Sequence, residues 1–145
     1  GASPQLVIVG EGPLAAELHT GARGRDSIRC LGARDDVADL MRAADLLVLP
    51  SFNESFGCVT LEAMACGLPV ITTATGLGAM LPIHERAGII VPFGDVGALA
   101  AALYHLLQDA AVAQRMGREA TSLAAPYSAR ALVTDTLALY QSLSG

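Results

Sequence analysis

Two glutamates could do chemistry together in the stretch ESFGCVTLE at positions 54–62, which Glu54 opens and Glu62 closes. Carboxylates at such a spacing either exchange protons in catalysis or accept hydrogen bonds from the hydroxyl groups of a ligand. The run DLLVL at positions 45–49 precedes them and is typical of a buried strand. We therefore expect Glu54 in a loop at the end of a strand and Glu62 on the helix that follows.

That helix, predicted at 57–66, is apolar nearly all round, because only Thr60 and Glu62 carry polar side chains between Cys58 and Cys66. Such a pattern predicts a buried helix. A buried carboxylate needs hydrogen-bond donors, and the hydroxyl groups of a bound ribose would supply them. The alternatives for Glu62 are a pairing with an arginine or an orientation outward through a gap.

The start of the same helix predicts an anion site. The backbone amides of Phe56, Gly57, Cys58 and Val59 have no partners within the helix, and the helix dipole adds partial positive charge. These amides could hold a diphosphate, to which Gly57 would allow a close approach. Glu54 stands just before them, where it could accept hydrogen bonds from a sugar. Open α/β sheets bind their ligands at this end of a strand, so the stretch predicts recognition of a sugar nucleotide.

The elements that must position this site alternate along the chain. Short apolar runs predict strands, and capped periodic runs predict helices. Asp95 and Ser128 are the predicted caps of the helices at 96–107 and 128–143. The first half therefore predicts an α/β fold, a Rossmann-like parallel sheet of about five strands with helices on both faces. The 145 residues should form one domain whose part from about 95 to 145 is helical. The predicted strands are 5–9, 27–31, 45–49, 69–73 and 88–91, and the predicted helices are 13–22, 35–43, 57–66, 96–107, 110–124 and 128–143.

Composition excludes several classes of partner. The net charge is −5 and the basic residues are not clustered, which argues against nucleic acid and anionic membranes. No apolar run reaches the ~20 residues of a transmembrane segment. Cys30, Cys58 and Cys66 lie in apolar segments without a metal-ligand spacing, so we expect buried free thiols, no metal and a cytoplasmic protein.

The motif at positions 50–70, with the pattern PSxxESFGxxxxEAMACGxPV, closely resembles the signature of family 4 glycosyltransferases of the GT-B fold. The segments 6–13, 30–37, 43–45 and 88–95 resemble the same family, so the resemblance covers nearly the whole chain. It implies the domain that binds the donor, a nucleotide sugar. The full-length enzyme would transfer a hexose-type sugar to an acceptor with retention of configuration, without a cofactor and without a metal in the site.

The resemblance also assigns a role to each position of the motif. Glu54 would take the catalytic position and bind hydroxyl groups of the donor sugar, and Glu62 would hold the ribose. The loop after the second strand would contact the base. The remaining sugar- and phosphate-binding residues implied are Phe56, Gly57, Cys58, Val59 and Thr60, and the base-contacting residues are Ala33 and Arg34.

The chain departs from the family in ways that affect activity. The family's domain begins one strand and one helix earlier, with strand order 3-2-1-4-5-6, and an Arg and a Lys usually neutralise the diphosphate from that missing side. Here all nine basic residues are Arg. Without the paired cations and the acceptor-binding domain, we expect the isolated chain to be nearly inactive. In the family's strand numbering, the remaining strands could close up in the order 3-2-4-5-6, or a partner chain or a swapped segment could fill the gap left by the missing strand. An exposed last helix could drive self-association.

The sequence also allows other functions for the chain and other roles for single residues. A non-catalytic module that binds a nucleotide sugar or a partner chain is the main alternative, and an epimerase acting on UDP-sugars is another. The pattern GxGxxA at positions 10–15 would suit a dinucleotide fold, but a tight turn explains its glycines equally well. Arg34 and Arg86 could contact phosphate or base, or simply face solvent. His84 could flank the site, and the loop at 75–80 has Met80 where the family often has a glutamate.

Overall fold

The computed structural model describes residues 3–143. Every predicted strand and long helix is present, within about two residues of its predicted bounds. The sequence did not predict the one-turn helix at Leu77–Met80 or the short 3₁₀ turn at Ala125–Tyr127. The strands are β1 (Leu6–Val9), β2 (Ile28–Gly32), β3 (Leu47–Leu49), β4 (Val70–Thr72) and β5 (Gly88–Ile90). The helices are α1 (Ala15–Ala22), α2 (Val37–Arg42), α3 (Cys58–Ala65), α4 (Leu77–Met80), α5 (Val96–Gln108), α6 (Ala110–Ala124) and α7 (Ala129–Leu143).

All five strands pair in parallel, which confirms the α/β class with parallel strands flanked by helices. They form two sheets, of order β1-β2 and β3-β4-β5. The chain divides into two compact units, one ending at Leu40 and the other starting at Met41.

The first unit contains β1, β2, α1 and most of α2. Its two strands pair from Leu6 opposite Ile28 onward, and Leu6 N donates to the carbonyl oxygen of Ser27 at 2.8 Å. Strand β1 is apolar at every position, yet Leu6 and Val7 are exposed. Apolar runs of this kind are typical of strands covered on both faces.

The second unit has β4 at the centre of its sheet, with all three of its residues buried. Ile71 of β4 packs in a core cluster with Val91 and with buried residues of α5 and α6. Ala102 and Leu106 come from α5, and Met116 comes from α6. This cluster fixes the sheet against the helices, and the carboxyl ends of β3, β4 and β5 meet at one edge.

Side-chain caps begin the three long helices, as the sequence predicts for α5 and α7. The Asp95 carboxylate accepts from Ala98 N at 2.8 Å, and the Ser128 hydroxyl accepts from Ala131 N at 3.2 Å. Asp109 caps α6 in the same way, at 3.0 Å from Val112 N. Satisfying these first-turn amides stabilises each helix start. Helix α7 buries none of its residues, which confirms the expectation that its apolar face is exposed.

Candidate functional site

Glu54 lies in the loop between β3 and α3, where a neighbouring hydroxyl group fixes it. The Ser51 hydroxyl donates to Glu54 Oε1 at 2.8 Å, and both residues are half-buried. The Thr73 hydroxyl, at the end of β4, donates to the carbonyl oxygen of Ser51 at 2.6 Å. The strand ends thus bring the loop that carries Glu54 against the segment that follows β4.

Helix α3 starts with a glycine cap that leaves its first amides open. Gly57 has φ 84° and ψ 54°, a left-handed conformation that favours glycine, and no side chain caps the helix. Thr60 N and Leu61 N both donate to the carbonyl oxygen of Gly57, at 2.9 and 3.3 Å. The amides of Gly57, Cys58 and Val59 donate to no acceptor within residues 3–143. These three donors and the helix dipole form an anion site of the predicted kind.

The segment after β4 sets the direction of the loop before α3. Leu77 N donates to the carbonyl oxygen of Phe56 at 2.8 Å. Because the peptide unit is planar and trans, the Gly57 N–H points away from that carbonyl group. The hydrogen bond therefore turns the Gly57 amide away from Leu77, although Gly57 as a residue is buried.

Glu62 is exposed, so the prediction of a buried α3 is wrong. The helix packs against β3, β4 and α6 through one side only, on which Thr60, Ala63 and Met64 are buried. Glu62 lies on the opposite side with Cys58, Val59 and Ala65, which are exposed. No arginine pairs with Glu62 in the described part of the chain. Its carboxylate is therefore accessible to a ligand at no cost of burial.

A cavity of about 400 Å³ lies beside Glu62, between α3 and the end of α6. Among the described residues that line it, Glu62 is the only charged one, and most of the remaining lining is apolar. The phenol ring of Tyr127 forms part of this wall and approaches the Phe56 ring, with centroids 6.2 Å apart. The lining residues are Leu61, Glu62, Ala65, Thr121, Ala124, Ala125, Tyr127 and Ser128.

The other predicted phosphate neighbours differ in what they present. Val59 is exposed and offers a free amide. Thr60 is only 2% exposed, and its amide is already bonded to Gly57. Cys58 is exposed, while Cys30 and Cys66 are half-buried, so the expectation of three buried thiols is wrong. Cys58 is exposed because it opens α3 on the side away from the sheet.

Ala33 and Arg34 belong to the first unit, in the loop between β2 and α2. The Arg34 guanidinium binds the Asp36 carboxylate through two hydrogen bonds, of 2.8 and 2.6 Å. This fork lowers the pKa of Asp36 below its ordinary value, chiefly through the hydrogen bond, and raises the pKa of Arg34 for the same reason. Both side chains remain partly exposed.

Two further candidate site residues, His84 and Arg86, lie in the connection between β4 and β5. Arg86 pairs with Glu119 of α6 at 2.8 Å, and His84 Nδ1 accepts from Ile90 N at 3.1 Å. Both side chains therefore have structural partners at these atoms. Within residues 3–143, no three His, Cys, Asp or Glu side chains are grouped as a metal ion would require.

In the described part of the chain no single helix has both the length and the apolar character to cross a membrane. The segments Val96–Gln108 and Ala110–Leu143 meet those criteria only as a pair bent by 101°.

A model of the family described as glycosyl transferases, group 1, matches residues 2–109, well over half of the chain. The chain belongs to the group 1 glycosyl transferases. This membership confirms the resemblance of the motif at positions 50–70 and agrees with the α/β fold. The sequence relatives and the similar solved structures are glycosyltransferases as well.

Among curated relatives of this group 1 chain is the N-acetyl-alpha-D-glucosaminyl L-malate synthase of Bacillus anthracis. It is 37% identical over 123 residues, which cover 80% of this chain and 31% of the relative. The D-inositol 3-phosphate glycosyltransferase of Salinispora tropica is 42% identical over 106 residues, covering 73% of this chain and 22% of the relative. The chain thus spans less than a third of the length of either protein.

Solved structures of glycosyltransferases share the fold. Sucrose-phosphate synthase from Thermosynechococcus elongatus has a TM-score of 0.84 at 33% identity, over 96% of this chain and 38% of the other. Anabaena HepE in complex with UDP and glucose has a TM-score of 0.81 at 26% identity, over 97% of this chain and 40% of the other. The C-terminal domain of a group 1 protein from Francisella tularensis has a TM-score of 0.75 at 25% identity, over 82% and 67%.

The contacts that hold the group 1 motif in place could not be predicted from residue types alone. Ser51 lies within the motif, but no role followed from its type alone, and Thr73 is a residue at the end of an apolar strand. Their contact joins residues 22 positions apart. A pair of polar residues at the ends of two neighbouring parallel strands is the signal that could have suggested it.

Proposed function

We propose that this chain binds the donor nucleotide sugar in a retaining glycosyltransferase that transfers a hexose-type sugar to an acceptor. The observation that carries the proposal is the set of three amides without an acceptor at the start of α3, with Glu54 just before them and Glu62 exposed one turn later. The diphosphate, the sugar and the ribose of the donor would each find a hydrogen-bond partner along this one segment.

The diphosphate would accept hydrogen bonds from the amides of Gly57, Cys58 and Val59. Such donors are preorganised by the helix and need no side-chain rearrangement. The same donors would stabilise the charge that develops on the departing diphosphate, which in a retaining displacement would assist the incoming acceptor. We expect no metal ion and no cofactor to be required at this site.

The two carboxylates would divide the recognition of hydroxyl groups. Glu54, at the end of β3, would accept from the donor sugar, and Glu62 would accept from the ribose. A carboxylate that receives a hydroxyl hydrogen bond makes one of the stronger neutral-to-charged contacts in proteins. The similar HepE structures contain UDP, glucose or UDP-glucose, which makes UDP-glucose the first donor to test.

A second candidate function is a non-catalytic module that binds a nucleotide sugar or a partner chain. The observation in its favour is the scarcity of cations for a diphosphate, because the chain has no Lys and both Arg34 and Arg86 are engaged in ion pairs. For the same reason we expect little or no transferase activity from the isolated chain. Three free cysteines agree with a reducing compartment, and we propose a cytoplasmic location.

Calorimetric titration of the chain with UDP, GDP, ADP and their glucose conjugates tests the proposal. We expect saturable binding to one nucleotide and about a ten- to hundredfold weaker affinity in Glu62→Ala, since a hydrogen bond to a charged group contributes about 1.5–3 kcal/mol. Asp135→Ala is the matched control, because it removes an exposed carboxylate from α7. Absence of binding to every nucleotide would favour the partner module. An equal loss of affinity in both variants would mean that the change in net charge, and not a contact with Glu62, weakens binding.

A further inference from the structure

The loop that carries Glu54 is held near both of its ends by the segment that follows β4. Near its start, the Thr73 hydroxyl donates to the carbonyl oxygen of Ser51 at 2.6 Å. Near its end, Leu77 N donates to the carbonyl oxygen of Phe56 at 2.8 Å. Glu54 therefore lies between two points at which the main chain is fixed.

The threonine hydroxyl groups at the end of β4 have defined donor and acceptor roles. Thr73 is 2% exposed, and its single hydroxyl proton is used in the short bond to Ser51. In its 3.3 Å contact with Thr75, Thr73 must then be the acceptor and Thr75 the donor. The preceding residue, Thr72, donates in the same way to the carbonyl oxygen of Leu49 at 3.1 Å. Thr72, the last residue of β4, thus bonds to the last residue of β3, and Thr73 bonds to the loop that follows β3.

Ser51 connects the fixed main chain to the side chain of Glu54. Its main-chain carbonyl group is fixed by Thr73, and its own hydroxyl group donates to Glu54 Oε1 at 2.8 Å. A carboxylate offers about four acceptor positions on its two oxygens, so one bond from Ser51 leaves Oε2 and part of Oε1 for a ligand. The Glu54 side chain is thereby held in one orientation without being saturated.

We propose that Ser51 and Thr73 are positioning residues that hold the Glu54 carboxylate ready for the hydroxyl groups of the donor sugar. The inference rests on the proposed function, because Glu54 matters only if a sugar binds there. A glutamate side chain loses considerable rotamer freedom when it is fixed. If the Glu54 side chain is already fixed in the folded protein, sugar binding does not lose that conformational entropy.

The test compares the affinities of the chain for UDP-glucose and UDP, because their ratio isolates the contribution of the sugar. Ser51→Ala and Thr73→Val should each weaken UDP-glucose binding by about three- to tenfold and leave UDP binding unchanged, in line with the loss of one positioned hydrogen bond. Ser51→Thr and Thr73→Ser keep the hydroxyl groups, so they should keep the ratio of UDP-glucose affinity to UDP affinity at the value of the parent chain. Ser122→Ala is the control, since it removes a hydroxyl group that bonds only within α6.

Glu54→Gln separates the inference from the proposed function. If Glu54→Gln lowers the ratio and Ser51→Ala and Thr73→Val do not, the positioning role is wrong while donor binding stands. If neither nucleotide binds to the parent chain, donor binding is wrong. Three-bond couplings of the Glu54 side chain, measured by NMR without ligand, then decide the positioning role alone. Rotamer averaging in Ser51→Ala but not in Ser122→Ala supports it, and unchanged couplings overturn it.

Discussion

Leu77 and Phe56 meet through a main-chain hydrogen bond of 2.8 Å that joins the segment after β4 to the loop before α3. Gly76 makes this approach possible. It has φ 51° and ψ −129°, and a Cβ atom at this position would lie 2.7 Å from the Phe56 carbonyl oxygen and 3.0 Å from the Glu54 Cβ. A side chain at Gly76 and the observed loop are therefore incompatible.

Gly76→Ala should lower the free energy of unfolding by about 3 kcal/mol, because it adds a steric collision with the main chain to the strain of a positive φ. Gly94→Ala is the matched control, since Gly94 also has a positive φ, of 78°, but has nothing within 4 Å of an added Cβ. We expect about 1 kcal/mol for the control. Urea unfolding measures both values, and equal losses would show that crowding at Gly76 is relieved by movement of the loop.

The Arg34–Asp36 fork predicts an acid-dependent contribution to stability. Because the folded state lowers the pKa of Asp36, the contribution is fully present above the ordinary Asp pKa of about 3.9 and is lost as the pH falls through the lower folded value. The raised pKa of Arg34 acts only at strongly alkaline pH. NMR titration of the Asp36 carboxyl group should give a pKa below the ordinary value, and Arg34→Gln should raise it.

Added salt should weaken the same effect, because both partners are partly exposed and the attraction is screened. An Asp36 pKa that is the same in the parent chain and in Arg34→Gln would contradict the fork in solution.

The cap of α5 predicts a measurable helix contribution. Asp95→Ala removes the acceptor of the Ala98 amide and should lower the free energy of unfolding by about 1 kcal/mol. Asp95→Asn keeps a capping oxygen and should lose much less. Thermal unfolding followed by circular dichroism compares the two variants. Similar losses would mean that the charge of Asp95, rather than its hydrogen bond, stabilises the helix start.

The sequence predicts local elements well because their signals are local. Helix α6 has the predicted bounds of 110–124, and Ser128 caps α7 as expected. Burial of α3 was mispredicted because composition alone does not say which side of a helix packs. The side that carries Glu62 stays exposed, and only the side of Thr60, Ala63 and Met64 meets the sheet and α6.

The supporting contacts of the site depend on tertiary placement. The contact of Thr73 with Ser51 requires β3 and β4 to be neighbours in register, with Leu49 opposite Thr72. Helix α4 is a single turn, too short for a periodic pattern to appear. The motif predicted which residues lie at the site, whereas the hydrogen bonds that orient Glu54 follow only from the packed strand ends.

The apolar face of α7 predicts self-association. Leu132, Leu139 and Leu143 recur at helical spacing on one side, and the first two are 68% and 60% exposed. Burying each leucine in a contact between two copies would contribute about 1.5–3 kcal/mol at most. Light scattering at micromolar concentration should therefore give a mass above that of the 14.9 kDa chain.

The variant Leu132→Glu/Leu139→Glu should restore the mass of a single chain, because two carboxylates cannot be buried in that contact without partners. Thr134→Glu/Gln141→Glu makes the same change in net charge on the opposite side of α7 and should still associate. Both positions of the control are exposed, so neither pair disturbs a buried core. A parent chain that remains monomeric over the concentration series, or two variants that dissociate equally, would rule out α7 as the contact.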